Sequence, residues 1–123
     1  MNVAIIPARG GSKRIKKKNI RSFCGQPIIA YSIQQAIKSG VFDRIIVSTD
    51  DDDIATVAKT YGAEVPFIRP KNLSGDIVGP LDVVNHAINW LEGNGGMIDY
   101  VCCIFPTAPF VRAVDIKEGL ESL

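Results

Sequence analysis

The stretch IIPARGGSKRIKKKNI, residues 5–20, decides how this chain is read. An apolar run breaks at Pro7 into Ala8 and Arg9. Two glycines and a serine come next, and then five cations fall within six residues. Residues 3–6 are uniformly apolar and too few for a helix, which is the pattern of a strand buried on both faces. A basic, glycine-rich segment directly after such a strand is a phosphate cradle, a nucleic-acid patch or a solvated loop. Gly10 and Gly11 let the backbone come close to a ligand and present successive N–H groups, a nest for an anion. Arg9, Lys13 and Lys18 supply charge-assisted donors for phosphate oxygens. The spacing is neither GxxxxGK[ST] nor GxGxxG. No aromatic residue interleaves with the cations, which argues against a surface for single-stranded nucleic acid.

Outward from this stretch, strand and helix patterns alternate. Residues 27–39 read as a helix, with Pro27 in its first turn, apolar Ile29, Ile33 and Ile37, and Gly40 as its stop. A second strand is expected over 44–48. A helix over 51–61 opens on acids that suit its N-terminal dipole. Residues 64–68 read as a third strand. The polar segment RPKNLSGD leads to a helix over 80–91, GNGG breaks it, and a fourth strand spans 100–104. A last helix is expected over 113–123. This order predicts an α/β fold, a parallel sheet with helices on both faces. With strand order 3-2-1-4, the first and fourth strands are neighbours. The loops at 8–18 and 105–112 then face one crevice at the carboxyl edge, where such sheets bind ligands.

At 123 residues the chain is long enough for one packed core, and it is expected to form one domain. Its net charge is only +1, yet residues 1–24 carry seven cations and no acid. Positive charge gathered in one segment suits a small polyanion better than a long nucleic acid. No apolar run reaches the ~20 residues of a membrane span, and the short apolar start leads into glycines and cations, unlike a signal peptide. The expectation is a cytoplasmic protein without membrane or nucleic-acid partners. Cys24, Cys102 and Cys103 lack metal-ligand spacing and read as reduced thiols.

The same residues carry a resemblance. IIPARGGSKRIKKKNI resembles the signature of the cytidylyltransferases that activate nine- and eight-carbon 2-keto sugar acids. The resemblance continues through PIIAYSI, FDRIIVSTDDDDIATVAKTYGAEVPFIRPKNLSGD and DYVCCIFPTAPF, in the family's order and over essentially the whole chain. It is greatest to the branch that activates pseudaminic acid. What it implies is a Rossmann-like nucleotide-diphospho-sugar transferase fold, with Mg²⁺ as cofactor and CTP and a nonulosonic sugar acid as substrates. By motif position, Ala8, Arg9, Gly10, Gly11, Ser12, Lys13, Lys18 and Asn19 face the nucleotide, with Lys18 and Arg9 as the catalytic cations. Arg69 and Ser74 match positions near the cytosine and ribose; a solvated loop is the competing reading for both. Phe105, Pro106, Thr107 and Phe110 match the sugar side. Phe105 stands where N-acylneuraminate enzymes carry Gln and pseudaminate enzymes an aromatic, so an apolar wall is expected there.

Two further groups invite chemistry. The acids of STDDDDIA, residues 48–55, look like a metal site, but a helix N-cap and the helix dipole account for them better. His86 and Trp90 lie four apart on one helix face, where packing is the commoner role. The metal ligands stay unknown from sequence. The resemblance also implies a longer chain, in which a dimerisation segment and a metal-binding aspartate pair come after residue 123. The chain is therefore expected to be the N-terminal, CTP-binding part of one domain, residues 1–123, cut after the fourth strand and its helix, and to form a homodimer when full length. The alternatives are an N-acylneuraminate or legionaminate cytidylyltransferase, and a non-catalytic nucleotide-binding fragment.

Overall fold

The structure is a computed structural model that describes residues 1–8, 22–23, 25–70, 79–105, 116 and 119. The central element is β1, Asn2–Pro7. Parallel to it on one side runs β4, Arg44–Ser48, and on the other β5, Tyr100–Cys103. Beyond β4, Glu64 makes a single parallel bridge to Ile46. The order of segments is therefore 3-2-1-4, the order under which the first and fourth strands are neighbours. The third strand is the exception. Only Glu64 pairs, its N–H donating to the Ile45 carbonyl and its carbonyl accepting from the Val47 N–H. Pro66 has no N–H to extend a ladder, and residues 65–70 run on without strand pairing.

Alternation along β1 sends its side chains into two cores. Ala4 and Ile6, with Val47, meet Ile29, Ile33 and Ala36 of α1 (Ile28–Ser39) and Ile54 and Ala58 of α2 (Asp52–Thr60). Val3 and Ile5, with Ile46, meet Ala87 and Leu91 of α3 (Pro80–Gly93). Helices thus cover both faces, and Val3 through Ile6 are wholly buried. That is why the run carries no polar residue.

The helix boundaries follow from local chemistry. Pro27 is the N-cap of α1, and Gly40 ends it in the left-handed region, φ 70°, donating its N–H to the Ile37 carbonyl at 3.2 Å. Pro80 lies in the first turn of α3, where its missing N–H costs nothing. A short antiparallel hairpin precedes α1, with β2 (Ser22–Phe23) paired to β3 (Gln26–Pro27) around Gly25 at φ 87°. The sequence reading missed this hairpin. The helix expected over 113–123 lies outside the described residues except for helical Ile116 and Gly119. Among the described residues no helix is long and apolar enough to cross a membrane.

Cys102 and Cys103 point to opposite faces of β5, Cys102 against the α1/α2 core and Cys103 exposed; both are free thiols. Burial pushes both thiols up, and the neighbouring Cys102 adds to the rise at Cys103.

Because Ile6 is fully buried between β4, β5 and the α1/α2 layer, Ile6→Ala is expected to cost about 2–5 kcal/mol in urea unfolding. A loss below about 1 kcal/mol would contradict a core built on this strand.

Candidate functional site

The carboxyl ends of β1, β4 and β5 bring Ala8, Ser48, Thr49 and Phe105 to one edge of the sheet. The Ser48 carbonyl is the centre of this edge. It accepts the Ala8 N–H at 2.8 Å, which carries the β1–β4 ladder to the last described residue before the glycine-rich segment. It also accepts from the guanidinium of Arg69, whose Nη2 donates to it. Arg69 Nε donates to the Ser48 hydroxyl at 3.1 Å, and the Arg69 backbone N–H to the Thr49 carbonyl at 2.8 Å. Arg69 is only 4% exposed. The solvated-loop reading of Arg69 is therefore wrong: its charge is buried and fixed at the rim.

The acids next to this rim have a structural task. Asp51 is the N-cap of α2; its Oδ1 accepts from the N–H groups of Asp53 (2.8 Å) and Ile54 (3.1 Å). Its own N–H donates to the Thr49 hydroxyl at 3.1 Å. Among the described residues no group of three or more His, Cys, Asp or Glu could hold a metal ion. His86 packs edge-on against Phe67, ring centroids 4.8 Å apart, and Trp90 lies 5.6 Å from the same ring. The pair belongs to the α3 layer, as the packing reading expected.

On the opposite side of β1, Ile104 continues the ladder by donating its N–H to the Ile5 carbonyl at 3.0 Å. Phe105 comes next, 54% exposed, with its carbonyl held by the Ser32 hydroxyl of α1 at 3.2 Å. Of the residues singled out from sequence, Ala8, Arg69 and Phe105 stand at this edge. Arg9, Gly10, Gly11, Ser12, Lys13, Lys18, Asn19, Ser74, Pro106, Thr107 and Phe110 lie outside the described residues. Ser48, Thr49 and Ser32 were not singled out. A small hydroxyl at the end of an apolar strand was the one available signal for Ser48 and Thr49.

The profile of the Cytidylyltransferase family matches residues 3–123. The chain belongs to that family. A pseudaminic acid cytidylyltransferase of Campylobacter jejuni is 48% identical over 120 residues, covering 98% of this chain and 52% of that protein. A CMP-N,N'-diacetyllegionaminic acid synthase of Legionella pneumophila is 38% identical, covering 97% and 51%. A solved CMP:2-keto-3-deoxy-manno-octonic acid synthetase complexed with CTP has a TM-score of 0.81 at 23% identity, covering 98% of this chain and 46% of its own. The fold is therefore the nucleotidyltransferase one. The chain spans about half the length of the curated relatives it matches.

The arginine clamp makes a sharp prediction. Ser48→Ala leaves Arg69 Nε without its buried acceptor, and Arg69→Lys cannot reproduce a fork that bridges a hydroxyl and a carbonyl. Each is expected to lower unfolding stability by about 1–3 kcal/mol in denaturant titration. Unchanged stability in both would mean that the clamp is not formed in solution.

Proposed function

We propose that residues 1–123 are the CTP-binding part of a cytidylyltransferase that joins CMP to the anomeric hydroxyl of a nonulosonic acid, and that this acid is pseudaminic acid. The observation that carries the reading is the 48% identity to a pseudaminic acid cytidylyltransferase across nearly the whole chain. The aromatic Phe105, half exposed at the carboxyl edge, supports it. A relative named for diacetyllegionaminic acid supports legionaminate as the second choice of sugar.

In this reading the sugar's anomeric oxygen bonds to the α-phosphorus of CTP. The bond between the α-phosphorus and the bridging oxygen breaks, pyrophosphate leaves with the electron pair, and the hydroxyl proton is released. Negative charge builds on the phosphate oxygens, so fixed donors there lower the barrier. Arg9, Lys13 and Lys18, with the N–H groups of Gly10, Gly11 and Ser12, are the donors proposed for the triphosphate. Asn19, Arg69 and Ser74 are proposed to serve the nucleoside, and Phe105, Pro106, Thr107 and Phe110 the sugar. Mg²⁺ is the proposed cofactor; when bound it neutralises phosphate charge and orients the leaving group.

The test is a calorimetric titration of the chain with CTP and Mg²⁺, with GTP as control, followed by an assay for pyrophosphate release with pseudaminic acid. Selective CTP binding is expected. CTP binding without turnover would mark a nucleotide-binding unit that does not catalyse by itself. No binding by the folded chain would overturn the reading. Lys18→Ala or Arg9→Ala is expected to weaken CTP binding by about 10–100-fold while the circular dichroism spectrum is retained. Phe105→Gln is expected to leave CTP affinity unchanged and move sugar preference from pseudaminic towards N-acetylneuraminic acid. An unchanged preference would remove Phe105 from the sugar wall.

A further inference from the structure

Five described residues are polar or charged and buried: Ser32, Ser39, Ser48, Thr49 and Arg69. Ser39 hydrogen-bonds within its own helix, to the Ala36 carbonyl at 2.6 Å. The other four converge on the carboxyl edge. A buried hydroxyl needs a partner, and in a helix the cheapest is a carbonyl of the preceding turn. Even the exposed Thr56 and Thr60 of α2 take that option, bonding the carbonyls of Asp52 at 3.0 Å and Thr56 at 2.9 Å. Ser32 does not. It lies in the second turn of α1, wholly buried, and its Oγ reaches 73 residues along the chain to the Phe105 carbonyl at 3.2 Å.

That contact holds Phe105 from the side its ladder cannot. The preceding Ile104 is tied to Ile5 and buried against the α1/α2 core, whereas the Phe105 side chain emerges at the edge. Helix α1 is anchored on β1 through Ile29, Ile33 and Ala36, so Ser32 is a rigid post. Fixing the carbonyl of a residue limits rotation of the adjoining peptide planes and hence the direction of its side chain.

We propose that Ser32 is a positioning residue that sets the direction of Phe105 and through it the choice of sugar acid. This rests on the reading of Phe105 as part of the sugar wall. Ser32 touches no reacting atom. It acts through the Phe105 backbone, so its loss changes sugar binding and spares CTP binding.

The experiment compares the unaltered chain with Ser32→Ala, Ser32→Thr and Phe105→Gln. Each CTP-saturated protein is titrated with pseudaminic acid and, separately, with N-acetylneuraminic acid. The carbon-13 shift of the Phe105 carbonyl is read in the same proteins without ligand. Ser32→Ala is expected to shift that carbonyl signal, weaken pseudaminic acid binding by about three- to tenfold and leave CTP affinity unchanged. Ser32→Thr keeps the hydroxyl and is expected to restore both signal and affinity. If Phe105→Gln changes sugar affinity and Ser32→Ala does not, the inference about Ser32 is overturned while the wall reading stands. If neither variant changes it, or if the unaltered chain binds no sugar acid, both fall. An unmoved carbonyl signal in Ser32→Ala overturns the inference whatever the affinities show.

Discussion

The Ser48 carbonyl accepts two hydrogen bonds, one from the Ala8 backbone and one from the Arg69 guanidinium, and the carboxyl edge of the sheet is organised around that oxygen. A carbonyl has two acceptor sites, and both are used here. One carries the central strand to the brink of the glycine-rich segment. The other brings a buried cation to the end of the neighbouring strand. Remove this junction and the end of the central strand at Ala8 loses its fixed relation to Arg69. The chemistry proposed for the edge needs that relation, because donors lower a barrier only when they are already in place.

The two sides of the edge use different means. On the β4 side, a charged fork and the capped start of α2 fix the backbone. Asp51 holds the first turn of the helix, and Thr49 holds Asp51. On the β5 side, one hydroxyl from α1 holds one carbonyl. Among the described residues the first arrangement is a set of interlocked bonds, and the second adds the Ser32 hydroxyl to the ladder bond that Ile104 makes with Ile5.

Most of the sheet was legible in the residues. Val3 to Ile6 admit only a doubly buried strand. Pro27 and Gly40 bracket α1, and the acids at 51–53 announce the start of α2. The segment 64–68 misled because Val65, Phe67 and Ile68 have strand-like apolar character, while the burial of Phe67 comes from rings on α3. Its pairing stops at Glu64, with Pro66 unable to donate. The β2–β3 hairpin escaped notice because each strand is two residues long, too short to show a period. At the site, motif order pointed to Ala8, Arg69 and Phe105. It gave no hint that Arg69 is buried, since an arginine before a proline in a polar segment looks solvated. Nor does anything local separate Ser32 from a serine that bonds its own helix turn.

The ties at the edge also have a consequence for how the chain folds. Arg69 reaches back 21 residues to Ser48, and Ser32 reaches forward 73 to Phe105. The caps and turns of α1, α2 and α3 close over a few residues and assemble early. Loops of such length must close before the edge gains any bond, and loop closure is an entropic cost that precedes its return. The β1 ladders already close loops of this kind, pairing Val3 with Arg44 and Asn2 with Tyr100. The two side-chain ties therefore add little further closure cost, because they join ends that the sheet has already brought together.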